Sequence, residues 1–278
     1  MKISPFLASF VATATVTMGL VAAPTAAADP VCTYQGQLNC VPMSAPTSNM
    51  ESMATQNTAT VSVPKYIETV VIDADAEWSA WFKAVGLREP MVSYNIILPG
   101  QTVTSQCTMP GQSGTMTIGS DFPNAFYCGV DPIVVNGVSD RGVLILPAEA
   151  FVKVWLGDVY GRQTKRAGDF AVAVIVAHEF GHSVVDELGT QRGVAQPTGK
   201  NKELIADCFS GAWASTAYKK GYLENGDIEE GVATFDAIGD TSASSDPHGT
   251  SAERVAAFTL GLNGQPFQCI AAYWPAFR

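Results

Sequence analysis

The chain is organised around Asp169-Phe-Ala-Val-Ala-Val-Ile-Val-Ala-His178-Glu179-Phe180-Gly181-His182-Ser-Val-Val-Asp-Glu-Leu188. The stretch is almost wholly apolar apart from its ends and one central motif, and it predicts a single buried helix. Asp169 is expected to cap its amino end and Gly189 to stop it. Residues four apart on a helix share a face. His178 and His182 are therefore placed to grip one cation, with Glu179 turned toward the same side. A lone histidine in so apolar a helix is usually a satisfied core residue. Two histidines spaced around a glutamate instead match the arrangement in which imidazoles bind zinc and a carboxylate deprotonates a water. Two of the chain's three histidines stand in this motif.

A catalytic zinc site needs three protein ligands and one open position. The continuation Ser183-Val-Val-Asp-Glu-Leu-Gly-Thr-Gln-Arg-Gly193 holds no further histidine, which excludes the metzincin pattern. The downstream candidate is Glu203-Leu-Ile-Ala-Asp207, on a second predicted helix from Lys202 to Tyr218 that Gly221 ends. Glu203 and Asp207 share one face. Such a pair is commonly a solvated acidic face, but Leu204, Ile205, Ala206, Cys208 and Phe209 around it are apolar. A buried carboxylate requires a partner. The pattern fits Glu203 as third ligand and Asp207 as acceptor of a ligand histidine's free N–H, fixing its tautomer.

Together, His178-Glu-Phe-Gly-His182, Glu203-Leu-x-Ala-Asp-Cys-Phe-x-Gly211 and His248-Gly-Thr-Ser-Ala-Glu-Arg254 resemble the bacterial neutral zinc metallopeptidase family, over roughly residues 90 to 270. Ala125-Phe-Tyr-Cys128 is similar to that family as well, and the ligand order resembles that of the gluzincins. The resemblance implies His178, His182 and Glu203 as zinc ligands, Glu179 as general base and Asp207 behind a ligand. His248 matches the family's His-Gly segment. With Asp246 placed to orient its ring and Gly249 to bend the backbone, His248 is expected to reach the cleft and stabilise the developing oxyanion.

Outward from the motif, residues 1–28 read as a signal peptide. Lys2 is the only charge, Phe6 to Ala23 is largely apolar, and Ala26-Ala27-Ala28 offers small residues for cleavage. Without that segment the chain carries 15 basic against 26 acidic side chains, a net charge of −11, and no basic run. That argues against nucleic acid and anionic membrane surfaces as partners. Six cysteines behind such a leader suggest disulfides. Proximity favours Cys32–Cys40 and Cys107–Cys128, which leaves Cys208–Cys269. Residues 29–62, nearly uncharged and rich in small polar side chains, predict a flexible linker, with the folded part at 63–278.

Tyr66 to Val85 predicts an amphipathic helix whose tryptophans belong to the core. Strands are expected at Met91–Leu98, Thr102–Gln106, Phe126–Cys128, Pro132–Asn136 and Val143–Leu146. Pro147 to about Val159 is expected to be helical, and Gly157 to Gly168 a solvated basic loop. Helices are expected again at Asp227–Ile238 and Ser251–Leu260. These elements predict an α+β, zincin-like fold, with a small, mostly antiparallel sheet on the active-site helix and a C-terminal helical lobe. The expected function is an exported zinc-dependent metallopeptidase, secreted or in the cell envelope. It would hold one catalytic Zn2+, act on protein or peptide, and bind no membrane once the signal is removed. Three rivals share parts of this pattern: a zinc-dependent amidase of the cell envelope, a non-catalytic binding protein of the same fold, and a metal-free disulfide module.

Overall fold

The computed structural model describes residues 32–34, 37–40, 56–108, 112–135, 138–164, 166, 168–241 and 247–277. The proposed signal peptide, most of the proposed linker and Asp246 lie outside these residues, as do the side chains of Cys32 and Cys40 and hence their expected bridge. The chain forms a mixed α+β fold. A five-stranded sheet runs in the order β2-β1-β6-β7-β3, from β1 (Cys32–Tyr34), β2 (Gln37–Cys40), β3 (Ser93–Ile97), β6 (Phe126–Val135) and β7 (Val138–Pro147). Every pairing is antiparallel except β3 with β7. A hairpin, β4 (Thr102–Ser105) with β5 (Met116–Gly119), stands apart from that sheet.

The expected strands at 126–128 and 132–136 are one strand, β6, whose register slips between Cys128 and Pro132. A bulge lets a proline sit inside a paired strand, which is why the sequence reads as two pieces. Among the described residues β1 meets β6 only at Val134 and Val135, so the opposite end of β6, at Phe126–Cys128, is paired there on one side alone.

The first helix, α1, spans Gln56–Ala84 and so begins inside the stretch expected to be linker, as do the backbone strands β1 and β2. Ile67, Val70, Val71, Ala74, Trp78 and Phe82 along it are buried, at the three-and-four spacing that puts one face in the core. α2 (Ala148–Trp155) is shorter than expected. The residues after it form a two-residue hairpin, β8 (Asp158–Val159) and β9 (Arg162–Gln163), rather than a merely solvated loop. Arg162 there donates to the Ala237 carbonyl at 2.6 Å and also to that of Gly239.

The helix of the motif is α3, Asp169–Arg192, buried along nearly its whole length. Two expectations about its ends are corrected. Asp169 is its first residue, with Gly168 at the cap position, and the helix runs through Gly189 to stop at Gly193, whose φ of 64° is the left-handed closing conformation. Gly189 serves as a contact surface instead: a Cβ there would stand 3.0 Å from the Val194 carbonyl oxygen.

α3 packs against α1, α4 (Lys200–Lys219), α5 (Asp227–Ile238) and β6. The last helices are α6 (Ser251–Asn263) and a short α7 (Pro266–Tyr273) that the sequence reading did not anticipate. α4 and α6 cross at Gly211 and Gly261, where a Cβ on either would run into the other's backbone. Disulfides join Cys107 to Cys128 and Cys208 to Cys269, both as expected. The first ties the hairpin to β6 and the second ties α4 to α7. Among the described residues no helix is long and apolar enough to cross a membrane.

Candidate metal centre

The helical spacing places His178 and His182 on one side of α3, and α4 crosses close enough to add a third group. Gly181, inside the motif, permits that approach: a Cβ there would stand 3.1 Å from both Cα and O of Ala206. The result is a triangle of donor atoms. His178 Nε2 lies 3.2 Å from His182 Nε2 and 3.3 Å from Glu203 Oε2, and His182 Nε2 lies 3.5 Å from that same oxygen. One shared proton satisfies only one of these contacts, whereas one cation satisfies all three. Donors 2.0–2.2 Å from a tetrahedral zinc are about 3.3–3.6 Å from one another, so these residues fit that ion.

Charge points the same way. Burial alone would lower the His178 pKa, but Asp207 and Glu203 outweigh it and lift the imidazole to about 10. Burial likewise opposes ionisation of Glu203, and the two imidazoles overcome it, holding the carboxyl well below its usual range. The space between the rings therefore favours a positive charge.

His178 Nδ1, on the far side of the ring, has no partner that meets hydrogen-bond angles, yet Asp207 Oδ1 stands only 2.8 Å from it. At so short a range the carboxylate favours the tautomer with the proton on Nδ1, which leaves Nε2 facing the donor triangle. Asp207 is fully buried and is itself gripped by Arg254 of α6, with Nε to Oδ2 at 2.8 Å and the second nitrogen to Oδ1 at 2.7 Å. Burial would raise the Asp207 pKa, but the guanidinium holds it below the ordinary carboxylate range. Arg254 was missed in the sequence, although it closes the His248 motif. Its signal was an arginine four positions after the capping residue Thr250, on a helix otherwise apolar toward α4.

Glu179 is buried, and one oxygen accepts the Tyr127 N–H at 3.0 Å. Burial, opposed by the two imidazoles, pushes its pKa up. The Tyr127 amide thus leaves the half-paired end of β6 toward the helix, a backbone contact that carries no side-chain signal in the sequence. The Tyr127 hydroxyl donates to Asp186 at 2.7 Å, which fastens β6 to α3 a second time.

His178, Glu179, His182 and Glu203 line one cleft of about 560 Å3, with Tyr160 and His248 on its walls. Tyr160 and Gly161 form the turn of the β8–β9 hairpin, with φ of 52° and 85°. Two positive φ values define the turn that suits two-residue hairpins, but its first position favours Asn, Asp or Gly. A tyrosine held there costs about 1–2 kcal/mol. Beyond a weak approach to the Ala125 backbone, its buried hydroxyl has no hydrogen-bond partner, and burial together with the Glu179 charge pushes the phenol pKa up. His248 is about half exposed, with Nδ1 3.7 Å from Asp240. Asp240 ties down this turn: its Oδ2 accepts the His248 and Gly249 N–H groups at 2.7 and 3.1 Å, while Asp246, expected to orient the ring, lies outside the described residues.

A helix-borne His-Glu-x-x-His site with a glutamate from the next helix is the site type of zinc metallopeptidases. The family described as "Putative neutral zinc metallopeptidase" matches residues 12–272, and the chain belongs to that family. It is 34% identical over 157 residues to "Uncharacterized protein YpfJ" of Escherichia coli, covering 48% of this chain and 55% of that protein. It is 32% identical over 201 residues to "Uncharacterized protein Mb2605" of Mycobacterium bovis, covering 62% and 64% respectively. The chain thus spans less than two thirds of either relative's length. No solved structure matches it.

Proposed function

We propose that the protein is a zinc-dependent peptidase acting outside the cytoplasm on protein or peptide substrates. The observation that carries this reading is the convergence of His178 Nε2, His182 Nε2 and Glu203 Oε2 to 3.2–3.5 Å beside the buried Glu179 in an open cleft. Held by those three residues, zinc would lower the pKa of a water toward neutrality and polarise a scissile carbonyl. Glu179 accepts the water's proton as it attacks and hands it to the amine nitrogen as the C–N bond breaks. The Tyr127 amide fixes one Glu179 oxygen so that the other serves this exchange. Asp207, anchored by Arg254, keeps the His178 ring from turning. Tyr160 and His248 are donors to the carbonyl oxygen as it gains charge, and the half-paired end of β6 offers an edge along which an extended peptide lies. The two disulfides, together with the leader-like residues 1–28, support a site outside the cytoplasm.

The test is Glu179→Gln, which keeps the shape of the side chain but accepts no proton. Cleavage of a broad peptide library should fall at least 10²-fold, with zinc still bound at one per chain. Turnover equal to that of the unaltered protein would remove Glu179 as the base. Cleavage of peptidoglycan stem peptides but of no protein would favour the amidase alternative.

A further inference from the structure

We propose that Asp169, Asp227 and Glu230 form a second cation site, separate from the zinc centre, that takes a hard divalent ion of calcium's size. Asp169 opens α3, and Asp227 and Glu230 lie in the first turn of α5. One carboxylate oxygen from each lies within 4.8 Å of the others. Asp169 and Asp227 are buried, at 7% and 3% exposure. Asp227 uses Oδ2 to accept the Glu224 N–H at 2.8 Å, which leaves Oδ1 buried without a hydrogen-bond partner. Glu230 Oε2 is buried and meets no hydrogen-bond geometry, although the Phe170 and Ala171 amides at the start of α3 lie near enough to the carboxylate to lower its pKa in part. An uncompensated buried carboxylate oxygen is costly, and two in one cluster call for a ligand.

The surroundings supply little positive charge. Among the described residues no Lys, Arg or His pairs with any of the three. The other ionisable groups facing the cluster are Tyr66 of α1, Glu224 and Glu229, none of them cationic. Asp169 Oδ1 accepts the Phe170 N–H at 3.0 Å. The start of α3 contributes about half a unit of positive charge, too little for three carboxylates. Consistent with that deficit, burial and mutual repulsion raise Asp169 and Glu230 to about 7. Gly168 makes the approach possible, since a Cβ there would stand 2.7 and 2.8 Å from the two Glu230 oxygens.

Carboxylate-only donors select hard cations over zinc, which prefers nitrogen or sulfur. Calcium binds oxygens at 2.3–2.6 Å in a flexible geometry, and three carboxylate oxygens that all lie within 4.8 Å of one another are compatible with it without the strict octahedron that magnesium requires. Waters complete such a shell. The ion would clamp α5 to the start of α3, and α5 carries Phe235 of the cleft wall and the Ala237 carbonyl that Arg162 binds.

The probe is Tb3+, close to calcium in size and luminescent when a nearby tyrosine is excited, added to zinc-loaded full-length protein. Tyr66 is the sensitiser. A saturable signal is expected, reversed by Ca2+ and at least tenfold weaker in affinity in Asp227→Asn/Glu230→Gln, while zinc stays at one per chain. An undiminished signal in that folded double variant overturns the proposal. Should the variant not fold, the unaltered protein decides: Ca2+ must raise the melting temperature more than equal Mg2+ does, and no Ca2+ effect overturns the site.

Discussion

The two ends of α3 gather acidic side chains in opposite ways. Near its middle and carboxyl half, Glu203 and Asp207 meet His178, His182 and Arg254, so these two carboxylates have imidazole or guanidinium partners. At its amino end, Asp169, Asp227 and Glu230 meet one another and the helix backbone. The same cost of burying charge is met in one place by imidazole and guanidinium and in the other by raised pKa values. Mixed nitrogen and oxygen donors in a tight triangle suit zinc; oxygen donors alone suit a harder, larger ion. One buried helix thereby positions two electrostatically distinct centres, and each is open to separate perturbation.

The largest separation is expected from the Cys208–Cys269 bridge, which fastens α4 and not the start of α3. Replacing both cysteines by alanine opens a link across 61 residues. It should cost about 4 kcal/mol of stability in the chain-entropy account, read by denaturant unfolding, and should weaken zinc affinity while leaving any Ca2+ response intact. A smaller loss confined to the Ca2+ response would place the bridge's influence at the wrong end.

Next in size is Tyr160→Phe. The loss of an oxyanion donor is worth about 2.7–4 kcal/mol, or two to three orders of magnitude in turnover. We expect that drop in kcat with zinc content and melting temperature unchanged. His248→Ala is expected to show a lesser drop, since its ring is about half exposed. If His248→Ala is the more damaging of the two, the oxyanion role belongs to the loop and not to the hairpin.

The smallest effect is a pH dependence at the amino end. Asp169 and Glu230 titrate at about 7 and Asp227 at about 6 in the folded chain, against about 4 unfolded. Groups raised in this way contribute stability that is complete below about pH 4 and is lost as pH rises through 6 to 7. Calcium-free protein should therefore melt at lower temperature as pH rises across that window, and added Ca2+ should flatten the trend. A melting temperature that rises over the same window without Ca2+ would reverse the assignment.

Much of the arrangement around His178 was legible in the sequence because helical spacing is read directly: His178 and His182, and likewise Glu203 and Asp207, stand four positions apart. Cys107–Cys128 followed from proximity, and Cys208–Cys269 was the pair left over. What was not legible depends on crossings between elements. Arg254 reaches Asp207 only because Gly211 and Gly261 let α4 and α6 touch. The Tyr127 contribution is a backbone amide. Tyr160 stands in the cleft because of a two-residue turn inside a stretch that read as solvated. The amino-end cluster joins Asp169 to Asp227 and Glu230, 58 and 61 positions further on, with no local pattern to announce it, and Asp169 fits a capping residue until α5 is seen beside it.

The central claim is that His178, His182 and Glu203 hold the metal. X-ray absorption at the zinc edge tests it most directly, on the purified protein and on Glu203→Ala. The account predicts one zinc per chain with two imidazoles, only nitrogen and oxygen neighbours and no sulfur, and loss of tight zinc in Glu203→Ala. A sulfur neighbour, or stoichiometric zinc retained after Glu203→Ala with an unchanged spectrum, would contradict it.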